Sequence, residues 1–189
     1  MLLSRQFLLI YLMNTMSIIT GYFTVNNYKA YAGTNGIKDE SYLALVGSIA
    51  SFCSAIRFVW SMGTDHFTYR LVYGVMLVLQ AILNFTIPLV NDSRGAYAVW
   101  IAGILFCEGA HFVLVPNILK KLFGKYGITC YGFAITYTSV GNLLIVLLQG
   151  PLLDDSESSY NTFFYVNGAL SVLALAILLV IFKEKKFIE

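Results

Sequence analysis

Six apolar stretches, each long enough to cross a lipid bilayer as a helix, follow one another along almost the entire chain. They cover residues 7–31, 42–63, 70–90, 96–118, 128–150 and 160–182. A helix needs roughly 20 apolar residues to span the hydrocarbon core. Inside that core every backbone N–H and C=O has to find a partner within the protein, so only helices and closed barrels can cross. These stretches are continuous and do not alternate, which selects helices. The expected fold is therefore an all-α membrane protein with six transmembrane helices. The breaks between spans are short and rich in turn residues, as at Gly33–Gly36 and Asp154–Ser159. No linker divides the chain, so residues 1–189 read as one domain.

Composition agrees. Of the 189 residues 58% are hydrophobic and 12% are charged, about half the charged share of a soluble domain. So few charges cannot cover a water-facing surface, and the expected solvent is the lipid bilayer. Nucleic acid is excluded as a partner, because no basic run lies outside the short ends and turns. The run after Arg5 continues past Gly21 through Tyr22, Phe23 and Val25 without a small-residue cleavage site, so it reads as an uncleaved first span.

Charge placement gives an orientation. Arg5, Arg70, Lys120, Lys121, Lys125, Lys183, Lys185 and Lys186 fall on the side that holds both termini. The opposite side has Lys29, Lys38 and Arg94. Eight basic residues against three place both termini on the cytosolic side, or the matrix side of a mitochondrial inner membrane. The sequence does not choose between such a membrane and the plasma membrane.

Polar residues inside the spans carry the functional signal. The first span contains Asn14, Thr15, Ser17, Thr20, Thr24, Asn26 and Asn27 and needs a polar neighbour or a wet cavity. The sixth, from Gly168 to Phe182, is nearly pure aliphatic and can face lipid. Gly47, Ser51 and Ala55, spaced by four in the second span, read as a small-residue face for close helix packing.

Arg57 is the sharpest single residue, since a guanidinium in mid-membrane costs at least about 2.5 kcal/mol. It shares a helical face with Ser54 and Ser61. Two readings stand: a cation that captures an anionic substrate, or an arginine that snorkels or pairs structurally. Glu108 and His111 lie one turn apart on the fourth span. They read either as a proton-coupling pair or as packing, with a Glu108–Arg57 ion pair as one structural form. Tyr131, Thr138, Asn142 and Gln149 form a polar stripe on the fifth span. Pro88 and Pro116 read as helix terminators or kinks.

Cys53, Cys107 and Cys130 show no metal or disulfide spacing, and a single Glu-x-x-His copy does not make a di-metal carboxylate site. No metal or cofactor is expected. No nucleophile–base arrangement is present, so the chain does not read as an enzyme.

The loop after the second span runs Ser61, Met62, Gly63, Thr64, Asp65, His66, Phe67, Thr68, Tyr69, Arg70. It resembles the Gly-x-x-x-Asp-Arg/Lys-x-Gly-Arg/Lys-Arg/Lys loop of major facilitator superfamily transporters, matching at Asp65 and Arg70, which the resemblance makes gating-loop residues. A second stretch is Phe106, Cys107, Glu108, Gly109, Ala110, His111 and Phe112, followed by Pro116, Leu122, Phe123, Gly124, Gly127, Tyr131 and Gly132. It is similar to the oxalate/formate antiporter and monocarboxylate transporter branch of that superfamily, and the Arg5–Gly21 run resembles the start of its seventh helix.

This resemblance covers nearly the whole chain but only the C-terminal, six-helix (3+3) half of a twelve-helix fold. It implies that spans one, two, four and five line a substrate path and that three and six face outward. It places Arg57 at an anion-binding arginine and Thr138 near a second cation, a lysine, which this span lacks. With Thr138 and Asn142 as remaining polar contacts, a monocarboxylate fits better than a dicarboxylate.

A carrier of this kind works by rocking one bundle against another, and a lone bundle would expose its polar face to lipid. An obligate protein partner is therefore expected: a second six-helix half, a second copy in a homodimer, or a larger membrane complex. Two functions follow. One is a half-size carrier of a small organic anion with protons. The alternative is a non-transporting structural or accessory subunit whose former cavity face is packed on protein.

Overall fold

A computed structural model describes residues 2–90, 93–154 and 156–183. The described residues form helices and no strand: α1 (Arg5–Thr34), α2 (Glu40–Ala55), α3 (Phe58–His66), α4 (Tyr69–Thr86), α5 (Arg94–Phe123), α6 (Gly127–Ala134), α7 (Thr136–Leu152) and α8 (Glu157–Val180). Five helical stretches are long and apolar enough to cross a membrane, at Arg5–Thr34, Glu40–His66, Tyr69–Leu89, Arg94–Leu152 and Glu157–Val180. The protein is an all-α integral membrane protein.

The fourth of these stretches is 59 residues long, or about 88 Å if it were straight, and it folds back on itself. The turn is at Gly124, whose φ of 54° lies in the left-handed region that glycine adopts without penalty. Three residues later Gly127 seats against Lys120, where a Cβ would come 2.5 Å from the Lys120 Cα. Bare glycine thus lets α6 return along the end of α5.

Helices α1 and α5 form the centre. α1 packs on α5, α7 and α8, α4 packs on α5 and α8, and α2 packs on α5. The most apolar window of α1 is 61% buried, against 22% for α2–α3 and 33% for α8, so the polar first span sits inside and the aliphatic sixth lies outside. Ser4, Asp39, Thr68 and Ser156 cap the starts of α1, α2, α4 and α8, each accepting a bond from a first-turn N–H.

Contacts at the helix ends sort the loops onto two ends of the bundle. Asp39 and Arg94 form an ion pair at 3.5 Å, and Tyr31 donates to Asn161 Oδ1 at 2.7 Å. The loops after α1 and before α5, and the start of α8, therefore share one end. At the other end Arg70 donates to the Leu179 carbonyl. Asp65, Lys120 and Lys121 surround a small cavity there with Tyr69 and Asn117.

Four local expectations are corrected. The second span is not one helix: α2 stops at Ala55 and α3 starts at Phe58. Between them Arg57, Val59 and Trp60 each donate to the carbonyl three residues back, at 3.0–3.3 Å, a tighter winding than the α-helix. The fifth span likewise breaks at Ile135. There Thr136 and Thr138 hydroxyls bond the carbonyls of Phe133 and Ile135 at 2.8 and 2.7 Å, competing with the helical ladder. Pro116 lies inside α5, which runs on to Phe123, so of its two readings termination is set aside and a kink is left. Finally, Ser51 and Ala55 are exposed, and α2 buries Leu43, Val46 and Ala50. Of the expected small-residue face, Gly47 alone makes a close approach, to the Tyr28 ring and hydroxyl.

Candidate functional site

The break in the second span is where Arg57 sits, and its guanidinium is exposed. The last turn of α2 comes down onto Gly109 of α5, where a Cβ would meet the Ser54 carbonyl at 2.5 Å and the Arg57 Cβ at 3.2 Å. The guanidinium carbon then lies 5.5 Å from the centre of the Phe112 ring, a cation–π distance. Pro116 lacks an N–H, which leaves the Phe112 carbonyl without its usual helical donor.

Glu108, half-buried on α5, crosses over Gly21 of α1, whose missing Cβ leaves room for the carboxyl stem. Its Oε2 accepts from the Ser54 hydroxyl at 2.9 Å. No ion pair joins Glu108 to Arg57; each is held by a different neighbour. Tyr22 and Tyr137 lie within electrostatic reach of Glu108, Tyr131 within reach of Arg57, and Thr138 beside the Tyr22 hydroxyl. Side chains from α1, α2, α5, α6 and α7 thus converge around one cation and one carboxyl, partly open to the outside of the bundle.

His111 belongs elsewhere. It is fully buried, and its Nε2 meets the Ser17 hydroxyl at 2.6 Å while Nδ1 faces the Glu108 backbone carbonyl at 3.1 Å. Ser17 in turn bonds the Tyr73 hydroxyl at 2.9 Å, and the Ser17 carbonyl accepts from Gln80 at 2.6 Å. The two residues that share a helical turn therefore face different surroundings: the Glu108 carboxyl faces α2, and the His111 ring packs between α1 and α4. The imidazole and the carboxyl do not form a direct pair.

The other expected residues divide similarly. Thr138 is half-buried at the Tyr22 edge of the cluster, whereas Asn142, one turn on, is exposed on α7. Asp65 and Arg70 do not meet; Arg70 bonds the end of α8. Ser61 leaves the Arg57 face and accepts from Asn117 at 3.0 Å. Tyr22 and Phe112 were not expected in the site. The available signal for Tyr22 was its hydroxyl beside Gly21 in the polar first span, and for Phe112 its position one turn after Glu108. Among the described residues no group of three or more His, Cys, Asp or Glu gathers at metal-binding spacing.

No protein-family model matches the chain. Among curated proteins, apicoplast pyruvate carrier 1 of Toxoplasma gondii is 33% identical over 110 residues. The matched stretch is 57% of this chain and 19% of that carrier, so the similarity spans about a fifth of its length.

Proposed function

We propose that this bundle is one side of a carrier for a small monocarboxylate, with Arg57 as the anion contact. The supporting observation is the exposed guanidinium at a helix break, resting on Phe112 with no carboxylate paired to it. Transporters place discontinuous helices at their substrate sites because loosened backbone there can face a ligand. Arg57 presents a planar fork of donors that suits a carboxylate. The likeness to a protein named as a pyruvate carrier supports a substrate with one carboxylate.

In this reading the 59-residue stretch crosses twice, giving six spans arranged as one half of a major facilitator fold of the monocarboxylate type. Both termini face the cytosol or the matrix, and a second bundle covers the Arg57 face. Glu108 is the proton-carrying group. Protonation removes a negative charge near Arg57 and lets substrate and proton travel together, with Ser54 holding the carboxyl in either state. Tyr22, Tyr131 and Thr138 supply hydroxyls toward the rest of the substrate.

The test joins uptake to assembly. Protein extracted in mild detergent is sized with its partners, then reconstituted and assayed for labelled pyruvate uptake. Arg57→Gln is expected to lower uptake at least about thirtyfold with the native mass unchanged. Undiminished uptake in that variant removes Arg57 from the site. Recovery only inside a large multi-subunit complex, with no uptake by the wild type, supports the accessory-subunit alternative.

A further inference from the structure

The bundle carries apolar grooves away from the Arg57 face, and they differ at their ends. One, of about 650 Å³, lies between α4 and α8 and is floored by Gly74, Val75, Val78, Ile82, Leu175 and Leu179. Gly74 lies where α4 meets α8, and a Cβ there would reach Leu178 and Leu175 at ordinary contact distances of 3.6 and 3.7 Å. From Thr68 to Ile82 it follows α4 for about 21 Å, somewhat more than the roughly 15 Å of one leaflet's share of the hydrocarbon core.

Its Thr68 end is basic. Arg70, an exposed residue, lines the groove mouth and donates to the Leu179 carbonyl, which takes one of its five N–H donors. The Phe182 ring packs on Tyr69 at 6.0 Å, which ties the residues after α8 to the start of α4. That helix has no acidic residue in its first turn. The comparison grooves lack this pairing. The one between α2 and α5, around Cys53, Val99 and Phe106, is lined by apolar residues throughout. The one between α7 and α8 ends at Asp154, whose carboxyl the Ser156 hydroxyl holds below its usual range, through a bond of 2.5 Å.

We propose that the α4–α8 groove is a specific site for an anionic phospholipid: one acyl chain lies along Gly74–Ile82, and the phosphate is held by Arg70. Basic pockets between helices on the positive side of a membrane are suited to such headgroups. The site requires only that the chain lies in a bilayer, and it stands independently of the carrier reading.

Purified protein is equilibrated with vesicles of equal phosphatidylcholine and phosphatidylglycerol, re-extracted, and its retained lipid counted by native mass spectrometry. The wild type is expected to keep one phosphatidylglycerol per chain in preference to phosphatidylcholine. Arg70→Gln is expected to reduce that preference roughly fivefold. Val78→Phe fills the groove from an exposed position and is expected to remove the retained lipid without touching the core. Cys53→Leu, in the α2–α5 groove, is expected to change nothing. Equal retention of both lipids by the wild type overturns the site, as does full retention in Val78→Phe. If Arg70→Gln unfolds, the Val78→Phe result decides.

Discussion

Two polar regions share α5 and differ in how their groups are satisfied. Around His111, groups from α1, α4 and α5 bond one another inside the bundle, with both imidazole nitrogens and the Ser17 and Tyr73 hydroxyls engaged, although the Oε1 of the adjoining Gln80 is buried without a partner among the described residues. Around Arg57, one turn away along the same helix, the guanidinium has a ring and the carboxyl has one serine hydroxyl. In the first region the imidazole and the Ser17 and Tyr73 hydroxyls are satisfied within the bundle, and so these groups read as structure. The second retains donors and acceptors that its own chain does not use, in a solvent where unused polar groups are expensive. That difference, more than residue type, marks the face that takes a partner or a ligand.

The largest expected effect comes from breaking the His111 region. His111→Leu removes the imidazole bond of the buried Ser17 hydroxyl, leaving it the Met13 carbonyl and the Tyr73 hydroxyl. It is expected to lower stability in detergent by about 2 kcal/mol, read as an earlier thermal unfolding transition. Tyr73→Phe alone should cost less, since Ser17 keeps its imidazole bond, and the double variant should be less than additive. Uptake per folded molecule should not change in any of the three. A specific loss of proton-driven uptake in a well-folded His111→Leu would move His111 back into the working site and erase the contrast.

The Glu108 site should respond in the opposite sense. Glu108→Gln keeps an acceptor for the Ser54 hydroxyl and the stem that lies across Gly21. Its stability is expected to stay within about 1 kcal/mol of the wild type, whereas uptake should lose its dependence on an imposed proton gradient. Unfolding comparable to that of His111→Leu would make Glu108 a structural group. Retained proton dependence would assign the coupling elsewhere.

Much of this was legible in the sequence, for a physical reason. The membrane solvent demands long apolar stretches, so the spans appear in composition alone; the burial of α1 and the exposure of α8 follow from Asn14–Asn27 against Ala169–Ile181. Rare charges in lipid are equally visible, which is how Arg57 and Glu108 stood out. What stayed hidden depends on direction. Spacing places Glu108 and His111 on adjacent turns, but Gly21 and Ser54 draw the carboxyl one way and Ser17 draws the imidazole another. Of the small-residue stripe, Gly47 alone packs closely within the chain while Ser51 and Ala55 stay exposed, and the close approach to α5 is made at Gly109 of that facing helix.

The smallest effect belongs to a third polar region, the ion pair at the loop end, and it sharpens the comparison by supplying its water-exposed limit. Asp39 does two things: it pairs with Arg94 at 3.5 Å, and its other oxygen caps α2 by accepting from the Tyr42 N–H at 3.1 Å. Both partners of the pair are about half exposed, at 59% and 46%, so screening leaves the pair worth no more than about 0.5 kcal/mol. The cap is worth about 1 kcal/mol. Asp39→Asn preserves the cap and removes the charge, and it should scarcely shift the unfolding transition. Asp39→Ala removes both and should cost about 1 kcal/mol more. Equal losses in the two variants would mean that the charge dominates even in the water-exposed region. Polar groups would then be ranked by charge, and degree of satisfaction would no longer separate the His111 region from the Arg57 face.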